Sequence, residues 1–380
     1  MRLGILTVPF NNNYGGFLQA YALKTILKKM GHEVFFINRK RNKPQRPLWK
    51  KIIGFPLIMF REMRERSLIK KISVHTEVFK RQYLTPITPE YYTHKSLKKC
   101  LKLGLDAFVV GSDQVWRYRY ARESIDDFFF SFLRDSQIPR FSYAASFGVD
   151  DNEYPDKYIE LCKMLLNEFE AISVREASGK DLLINQFQIS PEKIKVVLDP
   201  TFLLTPGEYR HLFQQYPKPK EPYLCTYILD QSSEVKSLVT NAAQSIGMND
   251  VVALVAQTGC VEKLQPIEPV EKWLYAVARA SFVITDSFHG TVFSIIFNRP
   301  FLTIGNKTRG ETRIHSLLNL FGLQSRCVDG AYKFNQSVLF KPIDWDSVNY
   351  KINEYKKESL KFITRGLELC KKRKKCLCPK

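Results

Sequence analysis

The stretch SFVITDSFHGTVFSIIFNRPFLTI, residues 281–304, decides the fold. Phe282 to Thr285 is a short β-branched and aromatic run of the kind that makes a buried strand. Asp286 and Ser287 are able to cap the next element, and Gly290 allows close backbone approach. Thr291 to Phe297 is apolar almost throughout, which predicts a buried helix. Asn298-Arg299-Pro300 stops it, and Phe301 to Ile304 reads as a second buried strand. His289 therefore stands where a strand's C-terminal end meets a helix N-terminus. That is the usual ligand position in an open α/β sheet, and free N–H groups and the helix dipole favour an anion there. A histidine at such a junction serves either as a cap and packing residue or as a proton carrier beside a bound phosphate or carboxylate.

The same alternation extends outward in both directions. Leu3 to Val8 reads as a strand, Asn11 to Gly16 as a polar, Gly-rich loop, Phe17 to Met30 as a helix and Glu33 to Ile37 as a strand. That loop has neither a G-x-G-x-x-G fingerprint nor a P-loop lysine, so it is a run of good turn formers or a site of another kind. Further strands are expected at Asp106–Gly111, Arg140–Phe147, Ala171–Val174 and Val196–Leu198. Helices are expected at Tyr158–Phe169 and Ser178–Gln186. Asp113, Trp116, Ser146 and Arg175 all follow strand ends, so polar groups collect at one edge of one sheet. Asp199-Pro200 reads as a domain boundary. Beyond it, strands at Tyr223–Leu229 and Val251–Val255 alternate with helices at Glu234–Ser245 and Val270–Arg279. A helix at Glu311–Phe321 and a long charged helix at Trp345–Leu369 complete the chain. The expected organisation is an α/β protein with one domain over 1–198, a second over 199–340, and a terminal helix and basic tail over 341–380 that packs back toward the first.

The 380 residues carry 58 Lys and Arg against 38 Asp and Glu, a net charge of +20. That excess suits an anionic partner: a phosphorylated substrate, an acidic membrane surface or nucleic acid. Half of it lies in residues 39–71, where twelve basic residues face two Glu. Trp49, Phe55 and Phe60 alternate there with Lys50, Lys51, Arg61, Arg64 and Arg66. This segment is either a solvated insertion or a basic, aromatic strip for a membrane surface. Met1 to Phe10 reads as a strand rather than a signal peptide. No apolar run reaches membrane-spanning length, and nucleic-acid motifs are absent. The eight cysteines lack zinc-ligand spacing, although Cys376 and Cys378 form a C-x-C pair in a tail expected to fray. A reducing, cytoplasmic setting is expected, with peripheral contact to the inner membrane face if the basic strip binds lipid.

Six stretches together resemble the polysaccharide pyruvyl transferase family. They are Asn13-Tyr14-Gly15-Gly16 with Leu18 to Leu23, Val110-Gly111-Ser112-Asp113-Gln114-Val115-Trp116, and Tyr143 to Gly148. Ser173-Val174-Arg175-Glu176, Leu198-Asp199-Pro200-Thr201 and Thr285-Asp286-Ser287-Phe288-His289-Gly290 complete the set. The resemblance implies two Rossmann-like domains facing a cleft, like the GT-B glycosyltransferases. It implies transfer of pyruvate from phosphoenolpyruvate, as a ketal, to a sugar of a bacterial surface polysaccharide precursor, with a polyprenyl-diphosphate-linked glycan as the expected acceptor. The donor would be held by the histidine motif and an arginine of the other domain. On that reading His289 is the general acid/base, with Asp113 as the alternative base, and Arg175 grips the donor's carboxylate or phosphate. Ser287, Phe288, Gly290, Arg309 and Arg313 join the donor side. Asn13, Tyr14, Gly15, Asp113, Trp116 and Ser146 line the acceptor side, Trp116 by stacking on a sugar face. No metal and no cofactor beyond the co-substrate are expected. A nucleotide-sugar glycosyltransferase on the same fold, or a non-catalytic binder of anionic glycans, are the competing readings; His289 and Arg175 weigh against the last.

Overall fold

The computed structural model describes residues 1–42, 55–255, 266–306, 310–330 and 334–377. Its strands are short and parallel, and all but the edge strands Ile194–Val196 and Val251–Val255 are mostly buried, as expected where helices cover both faces of a sheet. In the first half these are β1 (Arg2–Leu6), β2 (Glu33–Ile37), β3 (Ala107–Val110), β4 (Arg140–Ser142), β5 (Ile172–Val174) and β6 (Ile194–Val196). They run in the order β2-β1-β3-β4, and β5-β6 extend that row. The join is made by Ser142 N–H donating to Ala171 O and Ala145 N–H to Ser173 O, both at 3.1 Å. The second half contributes β7 (Leu224–Ile228), β8 (Val251–Val255), β9 (Phe282–Thr285), β10 (Phe301–Ile304) and β11 (Cys327–Val328), ordered β11-β10-β9-β7-β8. Each half thus places its first strand between its second and third. The chain direction across the sheet reverses beside β1 and β3 in one half, and beside β7 and β9 in the other. Such reversals open a crevice at the strands' C-terminal ends.

The helices that matter for the site are α1 (Tyr14–Lys29), α2 (Phe55–Ile72), α3 (Asp156–Asn167), α4 (Ala177–Asn185), α5 (Ser233–Ser245), α6 (Val270–Arg279), α7 (Phe288–Ile296), α8 (Glu311–Phe321) and α9 (Trp345–Leu377). Two of them, α1 and α7, start three residues earlier than the sequence suggests. Asn13 caps α1 by accepting from Gly15 N–H at 3.1 Å, which draws Tyr14, Gly15 and Gly16 out of the expected loop and into the first turn. Ser287 caps α7 by accepting from Gly290 N–H, so Phe288 and His289 are already helical. The expected strand over 140–147 ends at Ser142, because Ala144 turns into the left-handed region at φ 51°.

The two halves share one apolar core. A single buried cluster runs from Leu3 and Ile5 on β1, through α1, to Trp273 on α6 and Phe293 on α7. Tyr14 is the contact's pivot: its ring stacks on Trp273 at 5.4 Å and its hydroxyl donates to Glu268 O at 3.1 Å. Helix α9 fastens the halves a second time. Its Lys351 donates to Phe321 O of the second half, while Ser359 Oγ accepts from Leu198 N–H at 3.0 Å. Farther on, Phe362 packs near Tyr143, and Arg373 pairs with Glu170 at 2.8 Å in the first half. Lys374 pairs with Asp106. These ion pairs explain why the helix runs on to Leu377 instead of fraying after Leu369. No helix among the described residues is long and apolar enough to cross a membrane.

Ile363 is fully buried on the docked face of α9. Ile363→Ala should cost about 2–5 kcal/mol of stability, read as a lower urea midpoint at unchanged slope. A shift near zero would mean that α9 is not fastened to the body.

Candidate functional site

The two crevices face each other, and the N-termini of α1 and α7 meet between them. Their approach is so close that a Cβ built on Gly15 would lie 2.0 Å from His289 Nδ1. Only a glycine lets the first turn of α1 rest against the imidazole. Within α7's own half, a Cβ on Gly290 would lie 2.3 Å from Thr285 Oγ1, so that glycine seats the helix on β9. Two sets of free helix N–H groups are thereby brought toward one place, which favours a bound anion.

Asp199 is the electrostatic hub of the site. Its Oδ2 receives Arg175 Nη1 at 2.6 Å and Ser112 Oγ at 3.1 Å, and stands 3.7 Å from His289 Nε2. Its Oδ1 accepts from Thr201 N–H at 3.0 Å and from Thr201 Oγ1 at 2.7 Å. The 3.7 Å approach to His289 is an ion-pair distance rather than a hydrogen bond. Burial pushes this carboxyl up, but His289, Arg175 and the Thr201 N–H outweigh it and hold it well below its ordinary 3.8. An ionised, immobile carboxylate is thus fixed behind the imidazole, ready to stabilise an imidazolium.

Arg175 is buried among three carboxylates. Besides Asp199, Asp113 Oδ1 and Glu176 Oε2 each lie 3.7 Å from its guanidinium. Burial works against its charge, and Asp199, Asp113 and Glu176 more than compensate, so its pKa rises. Yet its Nε and Nη2 have no hydrogen-bond partner among the described residues. The guanidinium lies 4.2 Å over the ring of Phe288, and that of Arg313 lies 5.3 Å from the same ring. Arg313, on α8, is buried too; burial first and Arg175 second lower its pKa to about 10.

Phe288 and Arg313 form a wall between two cavities. The first, about 330 Å³, is lined by Asn11 to Asn13, Asp113, Gln114, Ser287 and His289. The second, about 630 Å³, is lined by Arg175, Ser178, Asp199, Leu317 and Tyr355. His289 and Arg175 therefore meet through Asp199 while opening onto different sides of the wall. Asp113 reaches the first cavity from a left-handed backbone, φ 76°, with Oδ1 accepting from Gln114 N–H at 2.9 Å. A polar residue held there is a strained feature of the kind found at functional sites.

Several sequence-derived assignments need correction. Trp116 cannot stack on a sugar: it is fully buried, parallel to Phe129 at 5.0 Å, and its Nε1 donates to Phe128 O at 3.1 Å. Tyr14 is 2% exposed and belongs to the contact between the halves. Ser146 is likewise buried, its carbonyl accepting from Trp116 N–H. Gly15 faces His289 rather than the acceptor side. Asn13 is exposed and Asp113, Ser287, Phe288, His289 and Arg313 line the first cavity. Arg309 lies outside the described residues, as do Trp49, Lys50, Lys51 and Cys378. Sequence reasoning misses Asp199 and Glu176 as site residues. Asp199 reads as a boundary marker in the sequence; its position just past a strand end, beside those of Asp113 and Arg175, is the signal that could have found it.

A family model described as polysaccharide pyruvyl transferase matches residues 13–308. No curated protein matches the chain. Among solved structures, the UDP-GlcNAc 2-epimerase from Neisseria meningitidis bound to UDP-GlcNAc is similar at TM-score 0.54 and 10% identity, covering 97% of this chain and 99% of that one. The UDP-GlcNAc 2-epimerase from Methanocaldococcus jannaschii gives 0.51 and 13%, covering 93% of each. A glycosyltransferase from Rickettsia africae ESF-5 gives 0.51 and 11%, covering 98% of each. These likenesses concern the fold alone: two Rossmann-like domains of the GT-B kind.

Because the Asp199 carboxyl has a lowered pKa in the folded protein, its contribution to stability is complete above its ordinary 3.8 and is lost as pH falls below it. Asp199→Asn should therefore lower the melting temperature by a constant amount from pH 7 to about 5, with the gap to the parent narrowing toward pH 3. A gap that persists unchanged at pH 3 would deny Asp199 its ionised role.

Proposed function

Since the chain belongs to the polysaccharide pyruvyl transferase family, we propose that it transfers pyruvate from phosphoenolpyruvate to two hydroxyls of one sugar in a surface polysaccharide precursor. The observation that carries this reading is the His289 imidazole, set between a helix N-terminus and an ionised, buried Asp199. The reaction needs such a group. C2 of the donor forms two carbon–oxygen bonds and loses its bond to the phosphate oxygen. Of the two protons released by the sugar hydroxyls, one ends on the methylene carbon, making the methyl group, and the other leaves with phosphate. Proton transfer to carbon needs an acid, and each hydroxyl needs a base. His289 serves both steps by moving a proton near neutral pH, and Asp199 stabilises the imidazolium in between. The free N–H groups of α1 and α7 complement the phosphate. Arg313, which lines the same cavity as His289, supplies the charge for the donor's carboxylate or phosphate, and Arg175, with Nε and Nη2 to spare, adds its charge from the other side of Phe288. Asp113 and Asn13 bind sugar hydroxyls in the first cavity, and Asp113 is the second candidate for the base.

A lipid-linked acceptor is consistent with α2, where Phe60 is 69% and Met63 60% exposed beside the exposed Arg64. The helix would lie against the cytoplasmic membrane face, where each basic residue adds about 1 kcal/mol at an anionic surface.

His289→Ala should lower turnover with phosphoenolpyruvate and a true acceptor by about 100- to 10,000-fold, with the protein still folded. Arg175→Ala should chiefly raise the KM for phosphoenolpyruvate. Near-parent turnover in His289→Ala, or stabilisation of the protein by UDP but not by phosphoenolpyruvate, would sink the assignment. Sedimentation with anionic vesicles at low salt, lost at high salt and in Phe60→Ser/Met63→Ser, is the outcome expected of the membrane contact; equal pelleting of that variant would remove it.

A further inference from the structure

Four side chains make a cluster that the transfer chemistry does not use, and one of them, His315, also lines the second cavity. Glu311 and His315 lie one turn apart on α8, and so share a face. Cys327 and Asp329 lie two residues apart at β11 and its end, and so share a side of the strand. His315 Nε2 stands 3.3 Å from Glu311 Oε1 and 3.5 Å from Asp329 Oδ1. Ligand atoms of His315, Cys327 and Asp329 all fall within 4.8 Å of one another.

Two observations distinguish this cluster from ordinary surface ion pairs. The first is charge. Two carboxylates converge on one imidazole, and among the described residues neither has a Lys or Arg partner, in a chain with a net charge of +20. The second is distance. A tetrahedral ion with metal–nitrogen and metal–oxygen bonds of about 2.0–2.2 Å holds its ligands about 3.3–3.5 Å apart. The His315 contacts have that spacing, and the Cys327 thiol joins His315 and Asp329 in a set of three ligand atoms within 4.8 Å of one another. The other grouping of this type among the described residues, His94 with Asp126 and Asp127, is already satisfied. Asp127 is bound by Arg39 at 2.6 Å and by His94 at 2.7 Å.

We propose that His315, Cys327 and Asp329 bind one divalent transition-metal ion of the zinc class, with Glu311 beside the imidazole as its neighbour. Imidazole, thiolate and carboxylate ligands suit zinc over magnesium or calcium. Binding displaces the thiol proton to solvent, and no electron is transferred. The ion would clip α8, through His315, to the edge strand β11. Arg313, in the same turn of α8, helps wall the two cavities, so the clip would also fix that wall.

Cobalt(II) tests the proposal without any need for turnover. The full chain carrying Cys376→Ser and Cys378→Ser, which removes the terminal C-x-C as a competitor, is treated with chelator and titrated with Co²⁺. One equivalent should bind, with the visible bands of a tetrahedral ion and the near-ultraviolet band of a thiolate ligand. Zn²⁺ should displace it and raise the melting temperature. Cys327→Ser should lose the thiolate band. His315→Ala should lose affinity by more than the ~10–100-fold that removal of even an outer-shell partner costs, and should lose the Zn²⁺-dependent melting shift. Absence of saturable Co²⁺ binding, or a thiolate band that survives Cys327→Ser, would overturn the proposal.

Discussion

The contact of Asp199 with Arg175 and His289 organises the site. An ionised carboxylate in a water-poor interior is costly unless it is paired and hydrogen-bonded. Here every lone pair has a use: Arg175, Ser112, Thr201 and the approach of His289. The partners come from separate strand ends and from both halves of the chain. Withdrawing any one would leave a buried charge short of compensation. The carboxylate therefore couples the position of the imidazole to that of the buried guanidinium, and both to the closure of the two domains on each other.

That closure rests on ordinary packing. Tyr14 against Trp273, and the apolar run from β1 through α1 to α7, bury a shared core where two domains of this fold class would otherwise meet across a wet cleft. The consequence is precision. Gly15 touches the His289 ring only because α1 is pinned by Tyr14 one residue earlier. Helix α9 adds a second fastening on the far side, with Ser359 bound to the backbone just ahead of Asp199.

The wall of Phe288 and Arg313, with Arg175 against one side of it, gives the site its division. Two guanidiniums near one ring repel each other, and Arg313 shows the effect in a pKa lowered to about 10, chiefly by burial. Asp113, Glu176 and Asp199 offset that repulsion. A donor carrying both carboxylate and phosphate is the kind of ligand that adds the negative charge this arrangement tolerates.

The chain's own sequence determined the alternation of strand and helix, because buried parallel strands must be continuous apolar runs and their helices must cover both faces. Phe282–Thr285, Val270–Arg279 and Glu311–Phe321 are where the pattern puts them. It also made His289 legible, since a strand end leading into a capped helix is a local signal. Contacts made across space were not legible. Trp116 has the composition of a sugar platform, yet Phe129 and Phe128 enclose it. Arg313 has the look of a solvated helix arginine, yet it is buried beside Phe288. Asp199 has the look of punctuation between domains, yet it is the hub. His315 meets Cys327 and Asp329 only because β11 pairs beside β10. Local periodicity reports which face of an element is apolar; which charges and rings share an interior is decided only when both sheets close on one another.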